Sequence, residues 1–189
     1  MSNSKWIFFV FEICRMCIGN PAFAQPPRHD EGLRVVFIRH AEKPLKGENL
    51  NCQGLNRSEQ IPTMLIGKFG VPDYVYVPKI STDSTTRHSR MFQTIIPLAV
   101  KYNLIINSKY AEKDSSGVAA DIKNKSGTVL VVWEHRAITP LVRALGIPDF
   151  KVNWGDDDYE SIWIISFTNG IAKITYDKEG LVPGSVCPF

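Results

Sequence analysis

No long apolar run is present. The most hydrophobic stretch near the start, Trp6-Ile7-Phe8-Phe9-Val10-Phe11, falls far short of the ~20 residues needed to span a bilayer. A stable membrane anchor is therefore not expected. An excess of one charge is missing too: 22 Lys and Arg against 19 Asp and Glu give a net charge of +3. No basic run is interleaved with aromatics, and no RNA-binding or zinc-finger signature appears. Nucleic acid is not an expected partner. Cysteine is scarce, with four residues, and none has a partner at metal-ligand spacing. Asp156-Asp157-Asp158 lacks the ligand spacing of a calcium loop and reads as a solvated turn. No metal and no cofactor is expected. Internal repeats and low-complexity tracts are also missing.

What remains is the composition of a folded domain, 44% hydrophobic and 22% charged over 189 residues. That length suits one domain with a short appendage. The start has the layout of an export signal. Lys5 precedes the apolar stretch, and Ala22-Phe23-Ala24 forms a small-x-small cleavage site after Pro21. Glu12 and Arg15 interrupt the pattern. The expectation is a signal peptide over residues 1–24, a single domain over 25–189, and a periplasmic or secreted location, with the cytoplasm as the alternative. Cys14 and Cys17 would leave with the leader. Cys52 and Cys187 would remain to tie the C-terminal tail to the loop after the first strand.

Strand-like and helix-like segments then alternate. Leu33 to Ile38 reads as a buried parallel strand. Gln53 to Phe69 has near-helical apolar spacing, with Pro62 expected to kink or break it. Tyr74 to Val77 reads as a strand, and His88 to Tyr102 as a helix with a kink at Pro97. Asn103 to Asn107 suggests a short strand, and Asp114-Ser115-Ser116 offers caps for a small helix. Thr128 to Trp133 is a second buried strand, followed by a helix from Ile138 to Leu145. Ser161 to Phe167 and Ile171 to Tyr176 form a hairpin turned by Asn169-Gly170. The expected architecture is α/β, a three-layer sandwich with a mostly parallel central sheet and an antiparallel edge hairpin.

Of four histidines, His40 and His135 follow the two best buried strands, in Arg39-His40-Ala41 and Trp133-Glu134-His135. If those strands are neighbours, both rings meet at one sheet edge, where open α/β sheets bind ligands. Arg90, in Arg90-Met91-Phe92-Gln93-Thr94, sits in the first turn of a helix and can reach the same edge. Two Arg and two His around one point suit a phosphoryl group.

These three motifs, in order and at this spacing, resemble the histidine phosphatase superfamily, which includes phosphoglycerate mutases and acid phosphatases. The resemblance covers most of Val35 to Gly146. It implies that His40 attacks phosphorus while Arg39, Arg90 and His135 hold the phosphoryl oxygens. A carboxylic acid then protonates the leaving alkoxide and later activates water. The acid-phosphatase pattern of Asp after the second His is absent, because Arg136 stands there. Glu112 and Asp114 occupy the mutase-like region, and Glu134 is a third candidate. Strand alternation would turn Glu134 to the opposite face from His135.

Other residues have plainer readings. Arg87 is taken as a solvated surface residue and His88 as a loop or cap residue. Glu42 and Lys43 belong to a solvated loop, unless Glu42 bonds an imidazole and Lys43 meets the substrate. Trp133, Trp154 and Trp163 are packing residues. The expected activity is hydrolysis of phosphate monoesters, on a small phosphorylated substrate or a phosphorylated envelope component. The alternatives are a phosphate-binding module without efficient turnover and a mutase-like phosphotransferase. Oligomeric state is not encoded legibly.

Overall fold

A computed structural model describes residues 32–81, 85–187 and 189. The expected signal peptide lies outside the described residues. The elements run β1 (Arg34–Arg39), α1 (Cys52–Phe69), β2 (Tyr74–Tyr76), α2 (Ser89–Tyr102), β3 (Ile106–Asn107), α3 (Ser115–Lys123), β4 (Thr128–Trp133), α4 (His135–Ala144), β5 (Ser161–Thr168) and β6 (Ile171–Lys178).

The strands form one sheet in the order β3-β2-β4-β1-β5-β6. β1, β4, β2 and β3 pair in parallel, and β5 and β6 add the antiparallel edge. Asn169 and Gly170 both take positive φ at the β5–β6 turn, which suits a tight hairpin whose twist follows the strands. Alternation along the central strands builds two cores. Val35, Phe37, Val129, Val131 and Trp133 pack under α3 and α4 on one face. Val36, Ile38, Leu130 and Val132 pack under α1 and α2 on the other. Strands buried on both faces need apolar residues at consecutive positions, which explains the unbroken runs in β1 and β4. No helix among the described residues is long and apolar enough to cross a membrane.

Some helices differ from those expected. α1 and α2 run through Pro62 and Pro97 as single helices. A proline removes one ladder bond, and tertiary packing of the apolar stripe outweighs that loss. α4 begins at His135, three residues before Ile138, because Glu134 caps it. α2 begins at Ser89, with His88 as a left-handed residue just outside it.

The Cys52–Cys187 disulfide closes the tail onto the first residue of α1. Asn56 Nδ2 reinforces it by donating to the carbonyls of Gly184 and Val186, each at 2.7 Å. The two cysteines are 135 positions apart. By chain entropy such a link is worth about 2–5 kcal/mol. Cys187→Ser, or full reduction, is expected to lower Tm by several degrees, at about 2–4 °C per kcal/mol for a domain of this size. An unchanged Tm under reductant would show that the bridge contributes nothing.

Candidate active site

β1 and β4 lie side by side in parallel register, with Arg39 opposite Trp133. The chain leaves both strands at the same edge, so His40 and His135 converge there. Their rings meet edge-on, with centroids 6.4 Å apart. His40 is 1% exposed yet lines the floor of a cleft of about 640 Å³. Glu48, His88, Arg90, Glu112, Glu134 and Arg136 are among the residues forming its walls.

The environment of His40 defines its protonation. Its Nδ1 faces the Ala41 carbonyl at 2.7 Å, so Nδ1 carries the ring proton and Nε2 keeps its lone pair in the neutral form. Burial pushes the ring down to about 4, and the Arg39 and Arg90 charges push the same way. The bond to Ala41 and the charge of Glu134 oppose that shift without reversing it. Near neutral pH, His40 is therefore an uncharged imidazole with a free nitrogen. Tyr159 packs edge-on against it, with centroids 6.2 Å apart.

The Arg90 motif explains itself in three contacts. Thr94 Oγ1 accepts from the Ala41 amide at 2.9 Å and donates to the Arg90 carbonyl at 2.8 Å. Gln93 Oε1 accepts from the Leu50 amide at 2.9 Å, and its Nε2 donates to Asn49. The helix that presents Arg90 thus also fixes the segment after His40. The Arg90 guanidinium lines the cleft and donates to the carbonyls of Gly47 and Glu48, at 3.1 and 3.2 Å. Gly54 completes the fit. A Cβ there would overlap the Glu42 carbonyl oxygen, so the start of α1 can approach this segment only through glycine.

Arg39 and His135 are held more tightly than the sequence suggested. Arg39 Nη1 donates to the carbonyls of Gly155, Asp156 and Asp158, at 2.7–3.2 Å. Its guanidinium stacks 4.0 Å from the Tyr159 ring centroid. His135 has a carboxylate at each nitrogen, Glu134 Oε1 at Nδ1 and Asp156 Oδ1 at Nε2, both at 2.7 Å. Arg39 Nη2 lies 3.2 Å from the same Nδ1. Burial works to raise Glu134, but the His135 bond and charge bring it below the usual carboxylate range. The His135 bond, then Arg136, lower Asp156 likewise. His135 opens into a smaller adjoining pocket with Asp156 and Arg136.

The acid candidates separate on geometry. Asp114 is not in the cleft wall. It caps α3, accepting from the Gly117 amide at 2.9 Å, which corrects its placement in the site. Glu134 faces the cleft, contrary to strand alternation. β4 stops at Trp133, and Glu134 has the extended geometry of a helix cap, so the pleat does not continue through it. Both its oxygens are engaged, by His135 and by the Arg136 amide. Glu112 also lines the cleft, and its backbone is fixed by Trp133 Nε1 donating to its carbonyl at 2.9 Å.

Other readings change as well. Asp156 lies in an exposed turn, as read, and its carboxylate also partners His135 and Arg136. Glu42 bonds Arg57 rather than an imidazole. Arg87, His88 and Arg136 line the cleft. Arg136 had a legible signal, since it follows His135 in the first turn of α4. The partners of Asp156 had none.

The architecture has known counterparts. A protein histidine phosphatase, SixA, in complex with tungstate superposes with a TM-score of 0.57 at 17% identity, covering 77% of this chain and 97% of that one. The chain has the histidine phosphatase fold. A mutant phosphoserine phosphatase from Entamoeba histolytica, in complex with phosphoserine, superposes with a TM-score of 0.50 at 12% identity, over 78% of this chain and 97% of that one. No family model matches the sequence, and no curated protein matches it. Within the histidine phosphatase fold, the cleft of this chain lies beyond the C-terminal ends of β1 and β4, at the edge where α/β sheets present ligand sites.

Proposed function

We propose that this protein hydrolyses phosphate monoesters through a phosphohistidine on His40. The observation that carries the reading is the state of His40. It is a neutral imidazole on a cleft floor, with Nδ1 committed to the Ala41 carbonyl and Nε2 free to attack. Attack forms the N–P bond and breaks the P–O ester bond. Positive charge then grows on the ring, and the Nδ1–H bond to the Ala41 carbonyl strengthens as it does. Arg90 and Arg136 supply positive charge around the transferring group, with the His135 ring beside them. Arg39 supports His135 and the 155–158 loop from behind.

Glu112 is the acid in this reading. It gives a proton to the leaving oxygen, then takes one from the water that attacks the phosphohistidine; the N–P electron pair returns to His40 Nε2. Glu134 is unsuited, because both its oxygens are occupied and its interactions favour the ionised form. The resemblance of motifs and the shared fold support this assignment, and the Cys52–Cys187 bridge supports an oxidising, exported setting.

One observation favours a phosphate-binding module instead: Nη1 of Arg39 is spent on backbone carbonyls. A single experiment separates the two. After rapid quench with a 32P-labelled monoester, the enzyme reading expects close to one acid-labile, base-stable phosphoryl group per chain, on the His40 peptide. Binding without label would overturn it.

A further inference from the structure

We propose that His88 is the proton reservoir of Glu112: the two act as one exchange pair that delivers the leaving-group proton and recovers it from water. The inference rests on the phosphohistidine reading above and deepens it.

Three observations converge. His88 Nδ1 lies 2.7 Å from Glu112 Oε2, and both residues line the cleft that holds His40. His88 sits at φ 67, ψ 10, a left-handed conformation that few non-glycine residues adopt. It also caps α2 without any side-chain bond to the helix, so the backbone turn serves to aim the ring rather than to cap. Such strain beside a reacting group is a recurrent mark of function. The ring is partly open to solvent, with 31% of its side chain exposed against 17% for Glu112. A proton can therefore enter from water through His88 and reach the more sheltered carboxylate.

Chemistry supplies the need. An ordinary carboxylic acid holds its proton only below about pH 4, whereas an ordinary imidazole holds one to about pH 6.5. A pair that shares one proton titrates as a unit. In the loaded pair His88 carries a proton on each nitrogen and Glu112 is ionised. As the P–O bond breaks, the Nδ1 proton passes to Glu112 and on to the departing oxygen, leaving His88 neutral. When water attacks the phosphohistidine, its proton returns to Glu112 and then to His88 Nδ1. The other charged groups facing the pair are Glu48 from the 43–51 segment, Arg87 and Arg90 around the start of α2, Lys113 beside Glu112, and Glu134 and Arg136 at α4.

The backbone makes a clean test possible. Glycine accepts positive φ without penalty, so His88→Gly removes the ring without straining the turn. His88→Asn tolerates the same turn and keeps a side-chain donor but offers no exchangeable proton. On an alkyl ester such as glycerol phosphate, His88→Gly in the full chain is expected to lose about 10²-fold in kcat at pH 7. Its alkaline limb should move to lower pH. The loss should be at least about tenfold smaller on p-nitrophenyl phosphate, whose leaving group needs little protonation. Added imidazole should restore part of the glycerol phosphate rate. Equal losses on both substrates with an unmoved pH profile, or full rescue by His88→Asn, would overturn the pair. Failure to label His40 in the unmodified protein would instead overturn the phosphohistidine reading beneath it.

Discussion

His40→Ala is expected to abolish turnover, with a fall in kcat of at least about 10⁴-fold, the scale seen when a covalent nucleophile is removed. No other group can substitute. His135, with its ring centroid 6.4 Å away, has a carboxylate oxygen at each nitrogen and so presents neither one to a substrate. Glu134 and Glu112 are each held by a histidine ring, at 2.7 Å. The variant must remain folded, and it should: only one ring is lost, and neither the backbone bond from His40 to Trp133 nor the bond from the Ala41 amide to Thr94 Oγ1 uses that ring. Circular dichroism and Tm check that. Substantial turnover by a folded His40→Ala protein would reject the mechanism. The unmodified enzyme should also stay active well into the acid range. The His40 ring is protonated only near pH 4, because burial and the two neighbouring guanidiniums disfavour the cation. Between pH 7 and pH 5 the ring therefore stays neutral, and kcat/KM should lose no more than a few-fold through His40.

The parts of this site that the sequence disclosed are those written in contiguous residues. A run of β-branched and apolar residues ending in Arg39-His40, and a second ending in Glu134-His135, state the strand and its exit together. Parallel pairing of the two runs then follows from burial on both faces. The Arg90 motif is local as well, since Gln93 and Thr94 lie one turn further along the same helix face. What escaped the sequence is held by contacts across long separations. Arg39 is bonded to carbonyls some 116–119 positions away, and carbonyls carry no residue identity to read. Asp156 looked like a solvated turn and nothing more, because its partners are 20 and 21 positions back. Glu134 was misdirected by a pleat that ends one residue sooner than assumed. The left-handed turn at His88 had no glycine or asparagine to announce it.

Arg57→Met is expected to cost about 3–5 kcal/mol at neutral pH, as removal of one partner from a buried ion pair does. Arg57 sits on α1 with a 4% exposed residue surface and binds three glutamates from three parts of the chain. Its contacts are Glu42 at 2.9 Å, Glu160 at 2.7 Å and Glu179 at 2.6 Å. Glu42 follows the nucleophile segment directly, so this cluster ties that segment to the strand hairpin. One guanidinium cannot neutralise three carboxylates. Burial raises Glu179 to about 7 despite the Arg57 charge, and Glu160 and Glu42 push it further the same way. The folded protein thus keeps a proton on Glu179 between about pH 4.5 and 7, where the unfolded chain has released it. Stability from this group is full below that window and declines as pH rises through it. Without Arg57 the carboxylates repel unopposed, their affinity for protons increases, and the window widens upward. The loss in Arg57→Met should therefore be larger at pH 8 than at pH 5, read from urea midpoints at the two pH values. Glu179→Gln should show the opposite: it keeps a carbonyl oxygen for Arg57 without the charge, and should flatten the decline and raise the midpoint at pH 8. A loss in Arg57→Met below about 1 kcal/mol, the range of solvated surface pairs, or one independent of pH, would mean that the cluster does not brace the His40 segment.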